Sequence, residues 1–179
     1  MLPRTQAEAL LLDTGADEIP HPGGTLLAHL RRVRELLEEW GAGDDVQLAG
    51  LCHAAYGTDG FATGLLATTE RDRLVAAVGA PAEALVYLYG SCRRDDVYPR
   101  LDESSVPFTD RFTGATTVPD DVLLRGFVEI TAANELDVVR HNAAIAAEHG
   151  AGLRRLMRRA ERHLSPAAVA AWRGQRAAS

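Results

Sequence analysis

Three predicted helices each carry a polar side chain on the face that their apolar residues mark as buried. His29 lies three residues after Leu26 and four before Val33. His53 lies four residues after Ala49. A third helix places five residues on one face by the same spacing: Phe127, Ile130, Asn134, Asp137 and His141. Burying polar groups is costly unless each finds a partner, so the pattern predicts that the three faces meet in a polar pocket.

Each of these side chains also has a simpler interpretation. A single His on an apolar face is more often a core histidine with satisfied hydrogen bonds than a ligand-binding group. A lone Asn such as Asn134 usually holds a neighbouring loop, and Asp137 and His141 are spaced as an ordinary i, i+4 helix pair. The coincidence of three such helices favours a site.

Proton transfer is the chemistry that these residues predict. An imidazole ordinarily titrates near neutral pH, so we expect His53 to act as a general acid or base. Tyr56 follows three residues later and could donate a proton or polarise a carbonyl group. His29 and Asp137 complete the predicted catalytic set, with Asp137 orienting His53 or His141.

Six side chains are predicted to contact a substrate: Asn134, Thr58, His21, Arg93, Arg111 and His141. Thr58 lies between Gly57 and Gly60, where the backbone can approach a ligand closely, although both glycines could simply end a helix. One of Arg93, Arg94 and Arg111 could clamp a carboxylate or a phosphate through two hydrogen bonds. The simpler interpretation of each arginine is a solvated side chain.

Helical periodicity extends over most of the chain and predicts an all-α fold. We expect helices over Thr25–Trp40, from Asp44 towards Gly57, over Thr69–Val78, from Pro81 to about Cys92, from Pro119 to about Gly150, over Leu153–Leu164, and from Pro166 onward. A long loop excursion covers about 93–118, and a small hairpin is predicted within 108–118. Long excursions in compact domains are usually functional or mobile. The predicted organisation is one compact helical domain, 1–165, followed by a C-terminal helix and frayed tail, 166–179.

Composition excludes several classes of protein. The chain has 179 residues, a net charge of −6, 46% hydrophobic residues and 25% charged residues, as expected for one folded domain. An acidic balance without a long basic run argues against a nucleic-acid partner. No segment is long and apolar enough for a membrane span, and the first residues lack a signal-peptide pattern, so we expect a cytoplasmic protein. Cys52 and Cys92 are too few for a zinc cluster and are expected to be free thiols.

Two stretches of the sequence resemble the HD-domain superfamily. The first runs through His29-Leu-Arg-Arg-Val33, Gly41, Asp44-Asp45 and Leu48-Ala-Gly-Leu-Cys-His53. The second is Ala133-Asn134-Glu135-Leu136-Asp137, which resembles the distal "ADxL" phrase of that superfamily. The resemblance covers about Thr25–Gly57 well and Phe127–His141 loosely. More narrowly, HPGGTLLAHL followed by AGLCHAAYGTDGF resembles a small bacterial family of unknown function within the same fold.

The resemblance implies an HD-like helical bundle and raises the question of a metal. The superfamily includes metal-dependent phosphohydrolases and mixed-valent diiron oxygenases, whose sites depend on an "HD" doublet and a distal Asp. Here the doublet is His53-Ala54 and the distal position is Asn134, so both carboxylates are missing. Two neutral imidazoles and an amide should bind a divalent ion weakly. A single-metal site of His29, His53 and Asp137, completed by His141 or His21 and holding Fe, Mn or Zn, is the remaining possibility.

Three functions follow from these observations. The first is a small-molecule enzyme on an HD-like scaffold that needs no cofactor and uses histidine acid/base chemistry, of isomerase, cyclase, lyase or hydrolase type. The second is a metal-dependent phosphohydrolase or an iron oxygenase, as the resemblance implies. The third is a ligand-binding module without catalysis. In each case the expected partner is a small molecule rather than a nucleic acid or a membrane, and association into homo-oligomers is compatible with the sequence.

Overall fold

The computed structural model describes residues 2–61 and 63–175, which fold mainly as helices. Nine α-helices are formed by these residues: α1 Pro3–Asp13, α2 Leu26–Glu39, α3 Asp44–Cys52, α4 Arg71–Val78, α5 Ala80–Ser91, α6 Arg94–Val97, α7 Asp121–His141, α8 Ala143–Arg159 and α9 Pro166–Gly174. Two antiparallel pairs of two-residue strands join them: β1 Pro20–His21 with β2 Gly24–Thr25, and β3 Phe108–Thr109 with β4 Thr116–Thr117. The all-α prediction is confirmed.

Helices α2 and α3 pack closely and bring His29 and His53 towards each other. The Thr25 side chain accepts a hydrogen bond from the Ala28 N–H and so caps α2. A β-carbon at Gly50 of α3 would overlap the end of the Leu37 side chain of α2, so the missing side chain at this position lets the two helices pack closely without moving Leu37. His53 ends α3 as its C-terminal cap.

Helix α7 runs through the centre of the fold and contacts α2, α3, α5, α8 and α9. The Asp120 side chain accepts the Leu123 N–H and starts the helix. The prediction of one helix from Pro119 to about Gly150 is wrong, because α7 ends at His141. Asn142 takes an extended backbone and its side chain accepts the Ile145 N–H, so it starts a new helix, α8. The separate helix predicted over Leu153–Leu164 is also wrong, since α8 continues to Arg159 before a short 3₁₀ turn.

The predicted excursion, 93–118, contains more structure than a loop. It holds α6, a 3₁₀ turn over Tyr98–Arg100 and the β3–β4 hairpin, which confirms the predicted hairpin. Helix α1 was not predicted from the sequence. Only Ala7 and Leu11 of this helix are buried, so it shows too little apolar periodicity to be recognised.

The C-terminal helix α9 packs against α7, where the buried Trp172 ring donates its Nε1–H to the Ala132 carbonyl oxygen. The fraying predicted for the end of the chain falls mainly on residues 176–179, outside the described part. Cys52 and Cys92 are buried free thiols, and burial raises the pKa of each to about 12. Within the described ranges no helix is both long enough and apolar enough to cross a membrane.

Candidate functional site

His29 lies at the centre of a cluster of polar side chains contributed by α2, α7 and the β1–β2 hairpin. Its Nδ1 lies 2.6 Å from Oδ2 of Asp137, and its Nε2 lies 3.0 Å from Oδ1 of Asn134. The His21 ring stacks on it with 4.1 Å between ring centroids, and the His53 ring meets it edge-on at 5.3 Å. The prediction that His29, His53 and Asn134 converge is therefore confirmed.

Asp137 is held between His29 and Arg32. The Nε and Nη2 atoms of Arg32 donate to the two carboxylate oxygens at 2.7 and 2.9 Å. Burial alone would raise the pKa of Asp137, but hydrogen bonds from His29 and Arg32 outweigh it and lower the pKa to about 2. The carboxylate thus stays ionised and orients His29. The alternative that Asp137 orients His53 is wrong, because the carboxylate contacts His29 instead.

Arg32 also fixes the hairpin that carries His21. Its guanidinium donates to the carbonyl oxygens of Pro22 and Gly23 at 3.1 and 3.3 Å. One arginine therefore joins the hairpin to α7 through Asp137. The His21 ring is held over His29 as a result, and its Nδ1 is buried without a hydrogen-bond partner among the described residues.

One of the two ring nitrogens of His53 makes a hydrogen bond, and the other is left without one in the described part of the chain. Its Nδ1–H donates to the Gly50 carbonyl oxygen at 2.8 Å, which leaves a lone pair on Nε2. Nε2 has no hydrogen-bond partner in the described part of the chain. Burial, and then the charge of His29, lower the pKa of His53 to about 3. His53 is therefore neutral at physiological pH and acts as a hydrogen-bond acceptor at Nε2.

A cavity of about 440 Å³ opens over this cluster, within the size range of small-molecule sites. Its walls come from the β1–β2 hairpin, the end of α3 with the loop that follows it, α6, α7 and α8. The lining residues are Pro20, His21, Pro22, Leu26, His53, Ala54, Thr58, Gly60, Phe61, Arg94, Asn134, Glu135, Val138, Ile145 and His149. Burial, and then the charge of His29, lower the pKa of His21 to about 4, so its imidazole is neutral as well. The walls of the cavity thus carry two neutral imidazole rings, one arginine and one glutamate.

Arg94 and Glu135 lie at one side of the cavity. The Arg94 Nη1 is 3.4 Å from Oε1 of Glu135, and its Nη2 is 3.5 Å from the Tyr89 hydroxyl. The Asn134 Nδ2 donates to the same Glu135 oxygen at 3.2 Å. Glu135 is buried, and burial raises its pKa. The Tyr89 ring also contacts the His53 ring, with 5.1 Å between centroids.

Tyr56, predicted as the catalytic partner of His53, does not line the cavity. Its hydroxyl donates to Oε1 of Glu83 at 2.8 Å, and Arg71 binds both oxygens of that carboxylate at 2.7 Å. Burial, followed by the hydrogen bond to Glu83, raises the pKa of Tyr56. Tyr56 follows His53 by only three residues, but its side chain points away from the His53 ring. The His53 ring contacts Tyr89 instead.

Three of the predicted substrate-binding residues lie elsewhere. Arg93 is exposed and does not line the cavity. Arg111 donates to the carbonyl oxygens of Gly90 and Tyr56 at 2.6 and 3.3 Å, so it fastens the excursion to the helical body. His141 is exposed, and its Nδ1–H donates to the Asp137 carbonyl oxygen at 2.8 Å. The other three, His21, Thr58 and Asn134, line the cavity as predicted.

Sequence reasoning missed Arg32, Tyr89 and Glu135, and placed Arg94 only among several candidate arginines. Arg32 follows His29 by three residues, so the helical spacing that identified His29 could also have identified Arg32. Glu135 adjoins Asn134 but lies off the apolar stripe that marked its neighbour. The position of Tyr89 depends on how α5 packs, for which the sequence carries no signal.

The donor atoms in the cluster do not suit a divalent metal. Both oxygens of Asp137 are taken by His29 and Arg32, and Oδ1 of Asn134 is turned to His29. Across residues 2–61 and 63–175, no group of three or more His, Cys, Asp and Glu side chains is arranged to hold a metal ion. In the predicted ligand set of His29, His53 and Asp137, both ring nitrogens of His29 and both oxygens of Asp137 already have hydrogen-bond partners, which leaves Nε2 of His53 and no anionic oxygen to balance the ion's charge. Whether a metal binds stays a prediction.

Comparison with known proteins yields one match. Residues 10–94 match the family described as "Domain of unknown function (DUF6817)". No curated protein and no solved structure matches the chain. The matched segment includes His21, His29 and His53, whereas Asn134 and Asp137 of α7 lie outside it. The resemblance to the HD-domain superfamily stays a prediction.

Proposed function

We propose that the protein is an enzyme that binds a small molecule in the histidine-lined cavity and uses His53 as its general base. The observation that carries the proposal is the state of the His53 ring. Its Nδ1–H is committed to Gly50, its Nε2 has no hydrogen-bond partner among the described residues, and the residue lines a cavity of about 440 Å³. A general base must lie within hydrogen-bond reach of the proton that it removes.

Asn134 supplies a second polar contact for the substrate. His29 donates Nε2–H to the Asn134 Oδ1, which turns the carboxamide so that Nδ2 points to Glu135. Nδ2 carries two hydrogens and only one is used by Glu135. The second is available for a carbonyl or hydroxyl oxygen of the substrate, close to the atom that His53 deprotonates.

His29 and Asp137 are buried behind the cavity walls and position the residues that line it. His29 is almost fully buried and does not line the cavity, so it acts as a positioning residue for Asn134. The Asp137 carboxylate accepts a hydrogen bond from His29 Nδ1 and so fixes the orientation of the ring. The sequence prediction that His29 and Asp137 are catalytic thus becomes a proposal that they hold Asn134 and His21 in place.

Proton abstraction beside a carbonyl group or from a hydroxyl group is the reaction class that this geometry favours. Isomerisation, cyclisation, elimination and hydrolysis each have routes that begin with such a step. His53 is almost completely buried, and interactions between a substrate and polar groups are stronger in such a desolvated environment.

A ligand-binding module without turnover is the second candidate, and one observation favours it. The lowered pKa of His53 makes its imidazole a weak base in the free protein. A neutral histidine suits a hydrogen-bond acceptor as well as it suits a catalyst. Binding without chemical change is therefore the outcome that would replace the enzyme proposal.

Incubation with a defined mixture of small metabolites, followed by mass spectrometry, tests the proposal. The wild type should consume a component of the mixture, and H53Q should consume it about 10²–10⁴-fold more slowly, as expected for a proton-transfer group. H163Q is the matched control, since His163 is also buried but lies outside the cavity. Undiminished consumption by a folded H53Q would overturn the base, and binding without consumption would support the binding module.

A further inference from the structure

Arg94 and Glu135 stand between the histidine-lined cavity and a second one. The second cavity has a volume of about 660 Å³ and lies between α8 and the α6 region. Four residues line both: Arg94, Glu135, Ile145 and His149. A ligand entering through the second cavity would therefore meet Arg94 before it reaches His53.

The Arg94 guanidinium makes only long hydrogen bonds to the described residues. Its shortest side-chain hydrogen bonds are 3.4 Å to Glu135 and 3.5 Å to Tyr89, whereas charge-assisted bonds from guanidinium groups to carboxylates are ordinarily about 2.7–2.9 Å. Arg32 is the internal comparison. It has the same side-chain exposure, 23%, yet binds both oxygens of Asp137 at 2.7 and 2.9 Å. The fork of Arg94 is thus available for a planar anion.

We propose that Arg94 binds the carboxylate of a small monocarboxylic acid and that this acid is the ligand of the cavity. The inference rests on the proposed function, because it places the carboxylate at Arg94 and the reacting group of the same molecule at His53. The Tyr89 ring spans the two positions, with the His53 centroid at 5.1 Å and the Arg94 guanidinium carbon at 5.8 Å from its centroid. His53 and Arg94 both line the histidine-lined cavity, so a short ligand in that cavity reaches both side chains.

The charges near Arg94 favour a carboxylate over a phosphate. Arg94 is the only arginine lining the histidine-lined cavity in the described part of the chain, and Glu135 lies beside it. A single guanidinium balances one negative charge, and its planar fork matches a carboxylate. A phosphate dianion would place its second charge against Glu135 with no further cation in that cavity.

The second cavity favours the entry of an anion. It carries two further arginines, Arg155 and Arg159, against one further carboxylate, Glu148. A cleft with an excess of one charge sign raises the local concentration of ligands of the opposite sign. The ligand's carboxylate then replaces the long Glu135 contact at Arg94.

Calorimetric titration with benzoate, propionate, benzamide and inorganic phosphate tests this inference without any turnover. Benzoate or propionate should bind the wild type, benzamide should not, and phosphate should bind at least about tenfold more weakly. R94Q should weaken carboxylate binding by at least about tenfold. R93Q is the matched control, because it removes the same charge from the adjacent, exposed position. Equal binding of benzoate by R94Q, equal binding of phosphate, or no carboxylate binding by the wild type would overturn the proposal.

Two further variants keep the test decisive if R94Q does not fold. R94K keeps the charge but loses the planar fork, so carboxylate binding should weaken. E135Q removes the competing carboxylate, so carboxylate binding should tighten; weaker binding by E135Q would count against the proposal. H163Q, whose side chain is buried outside the cavity, should bind benzoate as the wild type does. Failure of carboxylate binding counts against Arg94 alone, whereas undiminished turnover by H53Q counts against His53 alone.

Discussion

Nδ1 of His29 lies 2.6 Å from Oδ2 of Asp137, and both side chains are almost completely buried. The contact crosses between α2 and α7, which are far apart in the sequence. Asp137 receives two further hydrogen bonds from Arg32, so a single carboxylate aligns the helices beneath the cavity. Partially satisfied buried charges are costly, which makes this cluster a sensitive point of the fold.

Replacing Asp137 by Asn should strongly destabilise the protein. The change leaves the Arg32 charge without its carboxylate and replaces the carboxylate oxygen that binds His29 Nδ1. Removing one partner of a buried ion pair typically lowers the free energy of unfolding by about 3–5 kcal/mol, and the partial exposure of Arg32 places the expected loss near the lower figure. Urea unfolding measures it. D102N is the control: Asp102 is 59% exposed and 3.6 Å from Arg159, so the change should be within about 0.5 kcal/mol.

The stability of the protein should fall as the pH is lowered from about 6.5 towards 3. The folded-state pKa of His53 is about 3 and its ordinary value is 6.5, so the unfolded chain binds more protons between these values. The stabilisation is complete above pH 6.5 and is lost at up to about 1.4 kcal/mol per pH unit as the pH falls. Urea unfolding at pH 7 and pH 4.5 should therefore give a smaller difference for H53Q than for the wild type. An equal difference would contradict the buried neutral state of His53.

Asp137 should cause a further loss of protein stability at still lower pH. Its folded-state pKa is about 2, below the ordinary value of 3.8, so its stabilisation is present above pH 3.8 and is lost as the pH falls towards 2. D137N should lack this part of the curve. The comparison requires acid unfolding followed by far-UV circular dichroism, and a wild-type transition that coincides with that of D137N would contradict the prediction.

Gly23→Ala should be more damaging than an alanine at another glycine of similar backbone. Gly23 has φ +79°, and a β-carbon there would lie 2.9 Å from the side chains of Arg32 and His141. Gly114 has φ +77° with nothing within 4 Å, so G114A reports the backbone strain alone, about 1–2 kcal/mol. Thermal unfolding should show a larger loss for G23A. Equal losses would mean that the Arg32 and His141 side chains move aside freely.

Introducing two carboxylates should raise the affinity of the site for a divalent metal ion. Ala54 lines the cavity and Asn134 faces His29, so A54D together with N134D adds anionic oxygens beside His29 and His53. Titration with Mn²⁺, followed by elemental analysis, should give tighter binding for the double variant than for the wild type. Two tightly bound ions per wild-type chain would contradict the assignment of the donor set.

The sequence was sufficient to predict the meeting of His29, His53 and Asn134, because each occupies the apolar stripe of an amphipathic helix. Such stripes must face the core, so their polar members meet there as well. The same reasoning identified Asp137 but could not give its partner. Whether a carboxylate faces His29, His53 or His141 depends on how the helices are rotated and crossed, which periodicity alone does not determine.

Other features depend on where individual helices begin and end, which helical periodicity does not reveal. The division between α7 and α8 at Asn142 arises because a single asparagine side chain caps a new helix within a continuous run of helix-forming residues. Tyr56 lies three residues after His53, but α3 ends at Cys52, so helical spacing no longer applies there. Arg93 and Arg94 are indistinguishable by type, and only the start of α6 decides which one reaches the cavity.

The most direct test of the central claim is the protonation state of the His53 ring, measured by long-range ¹H–¹⁵N nuclear magnetic resonance correlation from pH 5 to 8. We expect a neutral ring across this range, with the proton on Nδ1, where it is donated to Gly50, and a free lone pair on Nε2. H53Q assigns the signals by their loss. A ring protonated at Nε2, or an imidazolium at pH 7, would contradict the role proposed for His53.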